Sequence, residues 1–265
     1  MTSAVTRPEP SDRAVLPFGG FSPQLVELEI HRLLRNRRTI IFSVLFPVFF
    51  FLVFGLNSAY ANLRVGQGNT SAFIMISMAL YGAVISTSGG AALVAAERVA
   101  GWSRQLRITP LHPLAYIAVK MATSLVLGAA SVAAVYITGA VTGKPSMPVG
   151  IWVTTGVVLW VGSLLFAAFG LFIGYLLPSE NGMQVIGFAL MLFSFGGGLF
   201  IPLSQFSHLL REFAAFTPLF GLNQVVHYPL VRGSFDWTWA ANLLAWLIVF
   251  TGGAVWRFRK DTARV

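Results

Sequence analysis

The residues best placed to do chemistry lie between Glu97 and Pro113, in the stretch ERVAGWSRQLRITPLHP. Glu97, Arg98, Arg104 and Arg107 stand there between two long apolar runs. Pro110 and Pro113 stop a helix and fix the turn into the run that follows. Trp102 and Leu106, four residues apart, share one helical face that suits a partner pocket. Arg104 and Arg107, one turn apart, suit carboxylates on that partner. This is the chemistry of recognition, through charge and an apolar knob, and it makes the segment a surface that receives force or signal from another molecule.

Bond-making chemistry finds little support elsewhere. The four histidines, His31, His112, His208 and His227, show no metal-binding spacing, and there is no cysteine. Ser194 has Gly196 after it but Leu192 before it, so no nucleophile elbow forms. The run Gly139 to Pro145 mimics a phosphate-binding loop, but its glycines are one residue too close. Pro145 also stands where a magnesium-binding hydroxyl belongs. No metal, catalytic or cofactor-binding residue is assigned on this chain. The apolar runs also lack a central carboxylate or histidine to relay protons, so an energy source outside the chain is expected.

These residues are positioned by membrane spans. Of 265 residues, 56% are hydrophobic and 10% charged, against roughly 45–50% and 25% in soluble domains. Mean hydropathy is +0.74. Six stretches approach the ~20 residues that cross a bilayer: 39–56, 72–96, 114–141, 149–177, 183–203 and 237–256. Met1 to Gly20 is polar, and the first apolar run is too long for a secretory leader, so it reads as a retained anchor. Fourteen of the eighteen basic residues fall in the N-terminal segment, the 97–120 region and the C-terminal tail. The positive-inside rule then places both termini and Glu97–Pro113 in the cytoplasm. The formal charge of +9 is explained by orientation and not by nucleic acid. Lys120, near the inner end of the third span, is placed to snorkel.

The expected fold is an all-α membrane protein with six transmembrane helices and three further pieces. Residues 22–38 form an amphipathic interfacial helix with Ser22 as cap, Leu25, Val26, Ile30, Leu33 and Leu34 on one side, and Glu27, Glu29, Arg32 and Arg35 on the other. Glu97 is expected to reach Arg35, Arg37 or Arg38 of this helix. Ser204 to Asp236 is too apolar for a free loop and is expected to hold short outer-side helices. Gly170 and Gly174 form a small-xxx-small packing face. Gly89-Gly90 and Gly196-Gly197-Gly198 interrupt the second and fifth spans, and Gly196, Gly197, Gly198 and Pro202 make a possible hinge. The remaining pieces are a polar tail over 1–21 and a basic tail over 257–265, with the transmembrane domain over 22–260.

Three stretches resemble the ABC-2 family of ATP-binding-cassette exporter permeases. They are Arg35-Asn-Arg-Arg38 with Phe46-Pro47 and Phe54-Gly55; Glu97-Arg98 with Gly101, then Leu106 to Leu111 and Lys120; and Pro178-Ser-Glu180-Asn with Gly197-Gly198, Phe200-Ile-Pro202 and Thr217-Pro218-Leu219. They occur in the family's order. The resemblance implies a permease subunit, not an enzyme, in a bacterial inner membrane, paired with a second permease copy. ATP and magnesium belong to a separate soluble ATP-binding subunit. The segment between spans two and three becomes a cytoplasmic coupling helix that docks on that ATPase through Glu97, Arg98, Gly101, Trp102, Arg104, Leu106, Arg107, Thr109 and Pro110. The interfacial helix, with Arg32, Arg35, Arg37 and Arg38, packs beside it. Trp102 departs from the family, where a small residue or threonine is common. Phe-, Met-, Val- and Leu-rich spans favour a hydrophobic or amphipathic cargo such as a drug, antibiotic or lipid. A non-transport sensor or assembly module docking a cytoplasmic protein stays open as the alternative.

Overall fold

The computed structural model describes residues 23–35, 37–57, 59–99, 113–177, 179–200 and 203–263. Among them the architecture is helical apart from one small hairpin. Helix α1 is Pro23–Arg35, and α2 is Arg37–Phe50, prolonged by a π-helical turn at Phe51–Gly55. Strands β1 (Arg64–Val65) and β2 (Gly68–Asn69) pair antiparallel. Then come α3 (Thr70–Ala92), α4 (Val94–Val99), α5 (Pro113–Thr142), α6 (Val149–Gly162), α7 (Leu164–Leu176) and α8 (Ser179–Gly196). A 3-10 turn at Leu203–Gln205, α9 (His208–Ala215), α10 (Pro218–Val231) and α11 (Trp237–Ala263) complete the chain.

Among the described residues four stretches are long and apolar enough to cross a membrane: Thr70–Glu97, Ala115–Thr142, Val149–Leu176 and Trp237–Lys260. They match the second, third, fourth and sixth expected spans. The first and fifth positions hold shorter apolar helices, Ser43–Gly55 and Gly182–Gly196. Helix α3 is the axis of the bundle. Its sequence is small or apolar on every side, the pattern of a helix buried all round, and 78% of its apolar window is buried. It packs most extensively against α5 and α7, whereas α11 lies at the periphery.

In lipid, apolar contact alone does not drive helices together, so close approach and polar satisfaction decide the packing. A Cβ added at Gly170 would lie 2.2 Å from the Ser88 carbonyl oxygen, and one at Gly174 would lie 2.8 Å from Val94. The small-xxx-small face thus seats α7 on α3 and α4. Pro47 has no amide to bond the carbonyl four residues earlier. The Ser131 hydroxyl of α5 donates to that carbonyl, Ser43 O, at 2.8 Å. Gly82 of α3 leaves room for both, since a Cβ there would meet Ser131 Oγ at 2.3 Å and Pro47 Cγ at 2.7 Å.

The glycine pairs behave differently from one another. Gly89-Gly90 does not interrupt α3, which continues to Ala92. Its glycines serve packing, with Gly90 pressed on Leu127 and Ser124. The fifth apolar run does lose its helix at Gly196. Gly198 follows with φ +77°, in the left-handed region that favours glycine. The helix therefore ends seven residues before position 203, where the sequence pattern placed its end.

Candidate functional site

Helix α1 lies against α5 and carries Glu29 to it. At 100° per residue, Glu29 falls between Leu25 and Leu33 on the wheel, inside the apolar arc. It is accordingly 8% exposed. This corrects its assignment to the polar side of the helix. Leu28 occupies the opposite face and is 68% exposed.

Lys120 on α5 donates to Glu29 Oε2 at 2.7 Å and to Glu97 Oε1 at 2.6 Å. Its side chain is 3% exposed, so it does not snorkel to the interface. Two desolvated carboxylates within reach hold it inside, where the low dielectric strengthens the pairing. Arg32 of α1 donates to Glu97 Oε1 at 2.7 Å. The Tyr116 hydroxyl donates to Glu97 Oε2, and Lys120 Nζ also lies 5.3 Å from the Tyr116 ring centre. Among the described side chains Glu97 therefore pairs with Arg32 and Lys120 and not with Arg35; the other expected partners, Arg37 and Arg38, lie outside them. Arg35 lines a cavity of about 290 Å³ beside the cluster, with Gly90, Leu93, Ala96 and Thr123.

The cluster has two carboxylates and two cations, and it joins three elements: α1, α4 and α5. Such a buried network is costly to desolvate as ions, but removing one partner is worse, because a charge is then left buried without a counter-ion. The cluster ties α1, α4 and α5 to one another.

Glu97 and Arg32 are thus brought into one site. Arg98 lies on α4, but its side chain, with those of Arg37 and Arg38, is outside the described residues. So are Gly101, Trp102, Arg104, Leu106, Arg107, Thr109 and Pro110, and at the far end Pro202. Gly196, Gly197 and Gly198 close α8 and do not approach the cluster. The residues that sequence reasoning missed are Glu29, Lys120 and Tyr116. Their signal was present: an acid inside an apolar stripe, and a lone cation in a long uncharged run, each need a partner.

The opposite half of α3 borders a different feature. An open-sided cavity of about 700 Å³ is lined by α2, its π turn, α3, the end of α8 and Leu199–Phe200. Phe46, Phe50, Phe54, Phe73, Tyr81, Phe195 and Phe200 supply aromatic walls, with Ser77 and Thr70 as polar points. Phe50 stacks on Phe54 at 5.8 Å between ring centres, and Tyr81 meets Phe200 edge-on at 5.1 Å. Apolar walls with a few placed polar groups are the pattern of small-molecule sites.

Residues 24–230 match the family model described as ABC-2 type transporter. That stretch contains both the ion cluster and the aromatic cavity and leaves α11 outside. The chain is also similar to a Bacillus subtilis (strain 168) protein named "Putative transport permease YvfS", 26% identical over 226 residues, covering 84% of this chain and 90% of that protein.

Proposed function

The chain belongs to the ABC-2 type transporter family, and from that premise we propose that it is the permease subunit of an exporter driven by ATP hydrolysed on a separate soluble subunit. In this reading a hydrophobic or amphipathic cargo leaves the cell through a path formed by this chain and a second permease copy. Both termini face the cytoplasm of a bacterial inner membrane. The apolar helices at the first and fifth positions complete six spans. Helix α2 with its π turn and helix α8 each run for roughly 27 Å at 1.5 Å per residue, close to the ~30 Å hydrocarbon core. Residues 1–21 and 257–265 are the tails of a transmembrane domain over 22–260.

The observation that carries the reading is the triple junction at Lys120. Helix α4 leads directly into residues 100–112, the segment assigned to ATPase docking. Lys120 and Arg32 tie the start of that segment, through Glu97, to α5 and to α1. A push on the docking segment is then delivered to a span and to the interfacial helix at once. The docking contacts are assigned to Glu97, Arg98, Gly101, Trp102, Arg104, Leu106, Arg107, Thr109 and Pro110. The aromatic cavity supports the cargo class, because its walls offer stacking and apolar contact with few hydrogen-bonding groups.

The test is the double variant Leu106→Asp, Arg107→Glu. Tagged wild-type chain is expected to co-purify with a subunit carrying a nucleotide-binding loop, and inside-out vesicles are expected to take up a hydrophobic fluorescent dye with ATP. The variant is expected to insert normally and lose both. Unchanged co-purification and uptake would sink the docking assignment. A wild-type chain that binds a cytoplasmic protein without ATP-driven uptake would favour a sensor or assembly module.

A further inference from the structure

Asn223 and His227 stand one turn apart on α10 and are 6% and 4% exposed. Both are polar, both are buried, and neither belongs to the ion cluster. His227 Nδ1 lies 2.9 Å from the Asn223 carbonyl oxygen. A carbonyl only accepts, so Nδ1 carries the hydrogen. In the neutral ring Nε2 is then an acceptor, and the Ser77 hydroxyl of α3 donates to it at 3.1 Å, closer than the Phe73 carbonyl oxygen, which stands 3.4 Å from it. The imidazole also lies against the Phe73 ring, with centres 4.3 Å apart. The Asn223 side chain points the other way and donates from Nδ2 to the Gly197 carbonyl oxygen at 3.0 Å.

One face of α10 thus grips two elements, the middle of α3 and the turn that ends α8. Both border the aromatic cavity. Phe73 and Ser77 line it from α3, and Leu199 and Phe200, just past Gly197-Gly198, line it from the other side. The turn fits only because of its glycines. A Cβ at Gly197 would stand 3.0 Å from Leu219 Cβ on α10, and Gly198 holds φ +77°.

We propose that Asn223 and His227 form a polar clasp that holds two walls of the cavity, α3 and the turn after α8, together on their α10 side, and that the clasp must release for these walls to part. The physical reason is that a broken clasp strands Ser77 Oγ, His227 Nε2 and the Gly197 carbonyl in an apolar setting, which is unfavourable unless water replaces the lost partners. Release and entry of water are therefore one event. The clasp has two states, closed and dry or open and wet. Its importance for cargo release rests on the exporter reading, but the clasp itself is testable with neither cargo nor ATP.

The chain has no cysteine, so Met78→Cys gives a single thiol. Met78 lines the cavity and is 3% exposed. The full chain, reconstituted in vesicles of phosphatidylcholine and phosphatidylglycerol, is treated with a membrane-impermeant maleimide. Labelling is expected to be slow, and about tenfold faster when His227→Leu or Ser77→Ala is added, a change on the order of one lost hydrogen bond. The two together are expected to add little beyond either alone, since they break the same bond. His227→Gln, whose amide can accept from Ser77, is expected to restore slow labelling. Leu159→Cys, fully buried and away from the cavity, reports general loosening and is expected to stay unreactive in every background. Asn223→Ala tests the Gly197 arm and stands in if His227→Leu does not purify as a monodisperse species. Unchanged labelling at Met78→Cys in folded variants would overturn the clasp, and so would an equal rise at Leu159→Cys. Faster labelling in a chain that moves no dye would leave the clasp standing and remove the exporter reading.

Discussion

The two ends of α3 handle burial in opposite ways. Toward Glu97 the bundle buries full charges and satisfies them with each other: Lys120 between Glu29 and Glu97, and Arg32 capping the pair. Toward Thr70 it sets half-buried aromatic rings around an open-sided cavity, with neutral hydrogen bonds behind the wall. The charged end is specific and brittle, because buried Glu29, Glu97 and Lys120 are held by one another and none of the three can leave alone. The aromatic end is tolerant, because a ring facing a cavity has fewer contacts to lose. On the exporter reading proposed above, the contrast suits a molecule that must be rigid where it is pushed and accommodating where something passes.

The comparison is tested most strongly at Lys120. Lys120→Met leaves two buried carboxylates facing each other and is expected to lower stability by about 3–5 kcal/mol. The check is thermal unfolding of detergent-solubilised protein. Adding Glu29→Gln and Glu97→Gln is expected to recover much of that loss without recovering dye uptake, which would separate stability from coupling. If Lys120→Met alone melts like wild type, the cluster is not a mutual lock.

Next in size is Gly170→Leu, which forces a side chain onto the Ser88 carbonyl. Overpacking of this kind typically costs about 1–3 kcal/mol, read in the same melt. It tests whether the axis that joins the two ends tolerates any widening. Phe195→Ala acts at the aromatic end. Phe195 is 42% exposed and lines the cavity, so the loss is expected to be about 1–2 kcal/mol, since only part of a full burial term is forfeited. Its larger effect is expected on the concentration dependence of dye uptake. A destabilisation equal to that of Lys120→Met would erase the distinction between the two ends.

The smallest effect is expected at Arg32→Gln. The Arg32 side chain is 55% exposed, although its partner Glu97 is buried, and solvent screening limits the loss to about 1 kcal/mol or less. Adding salt is expected to weaken the wild-type contribution of Arg32 and to leave the Lys120 pairs largely intact. A salt titration of the melting temperature in wild type and in the variant measures this.

Much of the bundle was legible because its signals are local. Long apolar runs give helices, prolines and glycines punctuate them, and the small-xxx-small face at Gly170 and Gly174 locates a close helix contact. The charged cluster was half legible. Glu97 and Arg32 stood out as charges beside spans, but Lys120 resembled an ordinary snorkelling lysine, and Glu29 looked like one more polar residue on an amphipathic helix. Their partners lie 91 and 23 residues away from Lys120 in sequence, and no local pattern carries that information. His227 was one of four scattered histidines. Only its seat against Ser77, 150 residues away, separates it from the rest.

The sequence by itself determined a membrane protein of apolar helices, the family order of its motifs and the basic surface at Glu97–Pro113. Composition, hydropathy and spacing suffice for these, since each is set by the bilayer as solvent or by a few neighbouring residues. Tertiary structure alone decided which charges share a burial site, where α8 stops, that a cavity opens between α2, α3 and α8, and that α10 grips both of its sides. These depend on how helices far apart in sequence face one another. In lipid that choice is made by close steric fit and by the need to pair every buried polar group, properties of the packed bundle and not of any one segment.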